Sequence, residues 1–481
     1  MATSASLFID GRWTAPSGDA TITVRSARTG RPIGSAVSAT PDDVDRAVAA
    51  ARRAFDDPTG WSAWAPEERA ECLDRLADAL EKRAEQTVRL VSEQNGMPIS
   101  VSSRIEGGFP GAMLRYYAGL VREQPVETSR PGMFAGTTRV HREPAGVVAA
   151  ISPWNFPQTL AAQKYAPALA AGCAVVLKPA PETVLDAKAV AEASLEAGLP
   201  RGVLNVVPAE ADASAYLVGH PGVDMVAFTG STAIGQRIAQ ICGPLVRPVT
   251  LELGGRSAAV VLDDADLDLS RAGQALFGAM LINNGQTCFL STRILAPRSR
   301  YREVVDTIAA FAGSLTVGDP LDPATQIGPL VTERHRAAVE AAVARGIADG
   351  ARLVAGARRP PELDEGWYFE PTVLADVDNS WDIARDDVFG PVLTITQYED
   401  EDHAVTLAND SDYGLAGTVW TASPDRGLAV ARRIRTGSVG VNGYLPDLGA
   451  PFGGVKNSGI GRELGPDGLA AFQRTKSIYQ L

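Results

Sequence analysis

The stretch GVVAAISPWNFP, residues 146–157, governs how the rest of the chain is read. Gly146 to Ile151 is an unbroken apolar run, too short for a helix and lacking the polar alternation of a half-exposed strand. Such a run suits a strand buried on both faces, in a parallel sheet covered by helices. Pro153-Trp154-Asn155-Phe156-Pro157 then breaks the strand at its carboxyl end, where ligands bind in open α/β sheets.

Further apolar runs follow at Ala174 to Leu177, Val203 to Val207 and Met225 to Phe228, separated by Ala-rich amphipathic stretches. This alternation predicts a doubly wound α/β unit. A second α/β stretch runs from about Thr250 to Val441. It has a strand at Ala258 to Leu262, a helix over Thr332 to Gly350, and a helix that opens at Ser423-Pro424-Asp425 and closes before Gly437. Upstream, Thr40-Pro41-Asp42-Asp43 reads as a helix cap, and Val44, Val48, Ala51 and Phe55 recur at helical spacing. A second helical region spans about Pro66 to Gly96, and the alternation of Thr137 to Glu143 suits a β-hairpin standing away from the body.

With 481 residues, two or three structural units are expected. The formal charge of −12 argues against a nucleic-acid or anionic-membrane partner, which needs a clustered positive field. No segment resembles a signal peptide or a run of about 20 apolar residues that would span a membrane. Cys72, Cys173, Cys242 and Cys288 are scattered without metal-ligand spacing. A disulfide framework or a metal site is therefore not expected, and a reduced cytoplasmic setting is.

Five segments carry chemistry. Gly285-Gln286-Thr287-Cys288 follows an apolar helix in a Gly/Asn-rich turn, where a cysteine can serve as a nucleophile. A lone free cysteine is more often structural. Leu251-Glu252-Leu253-Gly254-Gly255 places a carboxylate in an apolar strand; burial raises its pKa and suits it to general-base work, or backbone amides satisfy it. The Asn155 amide can donate to a developing oxyanion, worth roughly 3 kcal/mol, or can simply serve a turn between prolines. Phe228-Thr229-Gly230-Ser231 leaves a strand and opens a helix whose amides suit a pyrophosphate, although it lacks the G-x-G-x-x-G spacing. Lys178 adds a cation at the same sheet edge, with a solvated lysine as the plain alternative. Asp386-Asp387-Val388-Phe389-Gly390-Pro391 leads acids into an aromatic turn that can meet a cofactor ribose or be an ordinary loop.

In this order and approximate spacing, the segments resemble the aldehyde dehydrogenase superfamily of the hydrolytic, NAD(P)-dependent type. The resemblance extends through Gly318-Asp319-Pro320, Gly328-Pro329-Leu330, Pro451-Phe452-Gly453-Gly454-Val455-Lys456 and Ser458-Gly459-Ile460-Gly461-Arg462-Glu463. It implies a Rossmann-like cofactor domain over 1–122 and 145–250 and a catalytic domain over 251–445. It also implies a small β oligomerisation arm over 123–144 and 466–481. In the roles it implies, Cys288 attacks an aldehyde, Asn155 and the Cys288 N–H hold the oxyanion, and Glu252 activates the water that releases the acid. The cofactor contacts it implies are Ile151, Ser152, Pro153, Trp154, Lys178, Pro181, Gly230, Ser231, Leu253, Asp387 and Phe389. Phe156, Leu160, Gln163, Thr287, Phe289 and Phe452 would line the substrate tunnel, and no metal is required.

Several positions depart from the family pattern. Arg256 replaces a lysine, Ala258 a proline and Asp387 a glutamate one methylene longer, and Ala209 stands where glycine is common. Pro181 occupies the place of a ribose-binding glutamate, with Glu182 next; the absence of an added arginine favours NAD, with NADP kept open. The uncharged tunnel set predicts an uncharged aliphatic or aromatic aldehyde. A CoA-acylating enzyme is the nearest alternative, disfavoured by Glu252, and a non-catalytic nucleotide-binding or structural member is the other. The resemblance also implies a homodimer or homotetramer, with Thr137 to Glu143 and the strand Lys476 to Tyr479 pairing across subunits.

Overall fold

The computed structural model describes residues 2–481. The run at 146 forms the middle of an eight-stranded sheet. Across it stand Gly459–Ile460, Val249–Glu252, Met225–Thr229, Val147–Ile151, Ala174–Lys178, Leu204–Val206, Leu7–Ile9 and Arg12–Thr14. The five strands from Val249–Glu252 to Leu204–Val206 are parallel. Successive side chains alternate between two cores, as a period of two requires. Val147, Ala149, Val176 and Val226 pack with Val44, Val48 and Leu217 on one face. Val148, Ala150, Val175 and Ala227 pack with Leu73, Leu114 and Leu169 on the other. Burial on both faces is why Val147–Ile151 carries no polar residue, and why Ala174–Lys178 and Met225–Thr229 carry one only at the carboxyl end.

The helix Pro157–Ala171 is buried along its whole length, so it shows no polar face. Its only charged side chain, Lys164, consequently sits in the interior. A capping box at Thr40 and Asp43 opens the helix Pro41–Asp56, and Thr332 caps Glu333–Asp349, which ends at Gly350 with φ +119°. The expected long helix from Pro66 is two, Pro66–Glu81 and Ala84–Asn95. The break at Lys82-Arg83 contains neither glycine nor proline, so the apolar period runs across it.

A second sheet has the order Arg352–Ala355, Thr372–Ala375, Val392–Tyr398, Arg293–Pro297, Ala258–Val261, Gly417–Trp420 and Gly440–Val441. It is parallel apart from its first strand. Residues 446–465, outside the expected domain ranges, return to the first sheet, where Ile460 and Gly459 pair with Leu251 and Glu252. Thr137–Pro144 is the centre of a three-stranded antiparallel sheet, between Glu127–Pro131 and Gln473–Gln480. The hairpin therefore opens at Glu127, ten residues before the alternation becomes visible. Among the described residues no helix is long and apolar enough to cross a membrane.

The turn before Cys288, between the strands Ala258–Val261 and Arg293–Pro297, is conformationally specific. Asn283, Asn284 and Gly285 have φ of +53°, +60° and +75°. Asparagine tolerates this left-handed region, and Gly285 has no alternative: a Cβ there would lie 2.2 Å from the Gly390 carbonyl oxygen. Buried Asn284 donates to the carbonyls of Gly96 (2.8 Å) and Pro329 (2.9 Å) and accepts from the Gly328 N–H (2.6 Å). Asn284→Ala is expected to lose roughly 2–4 kcal/mol in urea unfolding, from three buried hydrogen bonds and a strained φ. Asn284→Gly should lose less, because it keeps the backbone conformation; equal losses would show that φ contributes nothing.

Candidate active site

The site lies where the first sheet presents the carboxyl ends of its strands and the second sheet the amino ends. Asn155, Lys178, Gly230 and Glu252 follow or end strands of the first, while Cys288 and Asp387–Pro391 precede the strands Arg293–Pro297 and Val392–Tyr398 of the second. Gly255 closes the approach, since a Cβ there would meet the Cys288 carbonyl oxygen at 2.5 Å.

Cys288 is partly exposed, whereas the other three cysteines are buried. Its surroundings push the thiol up to about 12, through burial first and then the negative charges of Glu252 and Asp387. The N–H groups of Cys288 and Phe289 pull the other way. Asn155 Nδ2 donates to the Gln286 carbonyl at 3.0 Å, which leaves its second N–H for another acceptor. The Asn155 carbonyl accepts from Asn95 (3.2 Å) and Asn283 (3.0 Å). The asparagine and the cysteine loop are thus parts of one hydrogen-bonded unit.

Glu252 is 3% exposed, and neither carboxyl oxygen makes a well-formed hydrogen bond among the described residues, the Gly454 N–H being the one amide that acts on it. Burial, reinforced by the charge of Glu463, holds its pKa well above the ordinary value; Lys164, Arg462 and the Gly454 N–H oppose that rise. Behind it lies a fully buried ion pair. Lys164 Nζ donates to Glu463 Oε1 at 2.8 Å and to Thr229 Oγ1 at 2.5 Å. Burial raises Glu463 too, against the pull of Lys164, and its Oε2 has no partner among the described residues.

Toward the first sheet, Ile151 and Ser152 are buried, and the latter's N–H donates to the Lys178 carbonyl at 3.1 Å. Lys178 is 8% exposed, and burial lowers its pKa to about 8 against the opposing charge of Glu182. Pro181 begins the short helix Pro181–Asp186 beside it. Ser231 caps the helix Thr232–Cys242, while the Gly230 N–H is spent on the Glu252 carbonyl. The amides that follow Gly230 are those left open at this helix start. Buried Leu253 packs against Gly235 of the same helix, with no room there for a side chain. Asp387, raised to about 6 mainly by burial, faces Gly254 and feels the charge of Arg256. Phe389, with φ +52°, stands edge-on to Trp154 at 5.4 Å, next to Pro153. His335 Nε2 donates to the Phe389 carbonyl at 2.7 Å and its ring also meets Trp154.

The residues expected to line a tunnel divide between two packing clusters. Phe156 and Leu160 pack with Val91, Met97 and Val101, whereas Phe289 and Phe452 join Cys288 and Leu448 in the larger core. Phe289 stacks on Tyr444, with centroids 4.7 Å and planes 24° apart. Thr287 is buried, with its hydroxyl on the Ile282 carbonyl, and buried Gln163 leaves Oε1 without a partner among the described residues. Sequence reading missed Lys164, Glu463, His335, Tyr444 and the amides of Asn283 and Asn284. Glu463 stood within a quoted segment, but nothing in spacing couples it to a lysine 299 positions away.

Comparison with known proteins places this geometry in a family. The model of the aldehyde dehydrogenase family matches residues 13–478. Geranial dehydrogenase of Castellaniella defragrans is 52% identical over 475 residues, covering 99% of this chain and 98% of that protein. A Mycobacterium tuberculosis aldehyde dehydrogenase complexed with NAD+ superposes with TM-score 0.96 at 46% identity, over 100% of this chain and 98% of that one. An aldehyde dehydrogenase C mutant from Pseudomonas syringae, complexed with NAD+ and octanal, gives 0.95 at 38%, over 99% and 96%. The chain belongs to the aldehyde dehydrogenase family.

Proposed function

We propose that this protein oxidises an uncharged aldehyde to its carboxylic acid, using NAD, with Cys288 as nucleophile and Glu252 as base. The observation that carries this is Glu252 itself, a buried carboxyl with no well-formed hydrogen bond and only the Gly454 N–H acting on it, close enough for its charge to act on the Cys288 thiol. A structural carboxyl in such a place would be bonded to amides; a base that must receive a proton from water needs free lone pairs.

The residues at the sheet edge fit a dinucleotide. Lys178 has no carboxylate hydrogen-bonded to it among the described residues, and the start of the helix Thr232–Cys242 offers backbone amides. Asp387, Trp154 and Phe389 frame the far end of the cleft. When bound, the oxidised nicotinamide supplies the hydride acceptor. Cys288 gives its thiol proton to solvent water as Sγ adds to the aldehyde carbon, and the free N–H of Asn155 together with the Cys288 N–H holds the oxygen as charge develops. After oxidation the acyl group remains on Sγ as a thioester. Glu252 takes a proton from water as its oxygen attacks that carbon, and Sγ leaves. Lys164 and Glu463 set the charge that Glu252 feels, and so its proton affinity.

Glu182 supports NAD over NADP. Its carboxylate is near enough to act on Lys178, one residue along from the expected Pro181, and a carboxylate beside an adenosine ribose repels a 2′-phosphate. The apolar wall of Phe156, Leu160, Phe289 and Phe452 favours an uncharged substrate, a class that includes the geranial of the Castellaniella relative's name. We take 1–122 and 145–250 as the cofactor unit, 251–445 as the catalytic unit, and the three-stranded sheet as an arm joining subunits of a cytoplasmic homo-oligomer. That sheet's two outer strands have unpaired edges, and Met133 and Phe134 at its tip are 92% and 98% exposed; paired edges and covered tips would remove an aggregation liability.

Nicotinamide reduction followed by absorbance, without CoA and with NAD and NADP side by side, tests the reaction across a panel of aldehydes. Turnover without CoA is expected; activity only after adding CoA would replace the hydrolytic reading with the acylating one. Cys288→Ala should abolish turnover while NAD binding persists. Glu182→Gln should raise the NADP/NAD ratio of kcat/KM by roughly tenfold, on the order of 1.4 kcal/mol. Because Glu252 works ionised and its pKa is raised, kcat should climb with pH well above the ordinary glutamate value of about 4.3. Removing a cation raises that pKa further, so Lys164→Met should move the limb to higher pH; an unmoved limb would disconnect Lys164 from the base.

A further inference from the structure

A cavity lies away from the candidate active site, at the base of the three-stranded sheet. It occupies about 380 Å³ between the start of the helix Pro66–Glu81, the end of Phe109–Glu123, and the strands Thr137–Pro144 and Gln473–Gln480. That volume falls within the range of small-molecule sites, about 300–1,000 Å³. None of the catalytic or cofactor residues lines it.

Its chemistry is two-sided. Trp64, Val121 and Val126 supply apolar wall, and Arg69 and Arg142 supply charge. Arg69 is 8% exposed. Its Nε donates to the Ala170 carbonyl at 3.1 Å and its Nη1 to the Trp64 carbonyl. Among the described residues no acceptor is bonded to Nη2, and no carboxylate forms an ion pair with this guanidinium. Arg142 donates only to the Pro125 carbonyl, at 2.8 Å, and likewise has no acidic partner among the described residues. The acid that shares the cavity, Glu143, is taken by Lys476. Arg69 lines the cavity, and the nearby charge of Glu68 acts on the guanidinium without an ion pair; an open guanidinium edge facing a cavity can take an anion, and its fork matches a carboxylate.

We propose that this cavity binds an amphiphilic monocarboxylate, with the carboxylate between Arg69 and Arg142 and the hydrocarbon body along Trp64, Val121 and Val126. The inference stands apart from the oxidation chemistry, because it uses none of the residues assigned to it. Inorganic phosphate lacks the apolar body, and a neutral alcohol lacks the charge.

Isothermal titration of the full-length protein with octanoate, octanol and inorganic phosphate tests this. Octanoate is expected to bind, with octanol and phosphate each at least tenfold weaker. Arg142→Gln, which removes the charge, and Val126→Trp, which fills the space, should each weaken octanoate about tenfold while leaving aldehyde turnover unchanged. Octanoate binding undiminished in both variants would place the acid elsewhere, in the catalytic cleft for instance, and overturn the proposal. Equal binding of octanol, or no octanoate binding, would overturn it as well.

Discussion

Side-chain amides hold the loop that carries Cys288, and the rest of the site depends on that hold. Asn284 ties the loop to Gly96, Gly328 and Pro329, and Gln286 accepts from the Val331 N–H at 3.0 Å. Asn155 and Asn283 bridge it to the end of the first sheet. The two sheets share no strand, so these short bonds set where Cys288 stands relative to Asn155 and Glu252. A left-handed turn that admits asparagine and glycine is the backbone cost of the arrangement.

Burial then does the electrostatic work. Burial raises Glu252, Glu463 and the Cys288 thiol, which feel one another's charge, and separately lowers Lys178. A raised acid suits the general-base role proposed for Glu252 near neutral pH, while a raised thiol means that Cys288, in the role proposed for it, must lose a proton as it attacks. The buried Lys164 keeps the two glutamates from rising further. Such a pair contributes little net stability, which is consistent with its retention for the charge it places behind Glu252.

Much of this was legible in the sequence wherever a local rule governs. Unbroken apolar runs marked the central strands because those strands are buried on both faces, and Thr40 and Thr332 marked helix starts because caps are local. Asn155, Glu252 and Cys288 stood out because each sits beside a strand end or a Gly-rich turn. The remainder depends on contacts between distant segments. Lys164 reads as one face of an Ala-rich helix until Glu463 is brought against it, and His335 reads as a helix residue until Phe389 meets it. The hairpin was seen only from Thr137 because Glu127–Pro131 is mostly exposed and carries no apolar alternation.

The most direct test of Glu252 as the base that releases an acyl group from Cys288 is intact-protein mass spectrometry of Glu252→Gln mixed with octanal and NAD. The account predicts an accumulating adduct equal to the aldehyde less two hydrogens, absent in the double variant with Cys288→Ala. An adduct that is missing, that carries the whole aldehyde, or that survives the loss of Cys288 would contradict it.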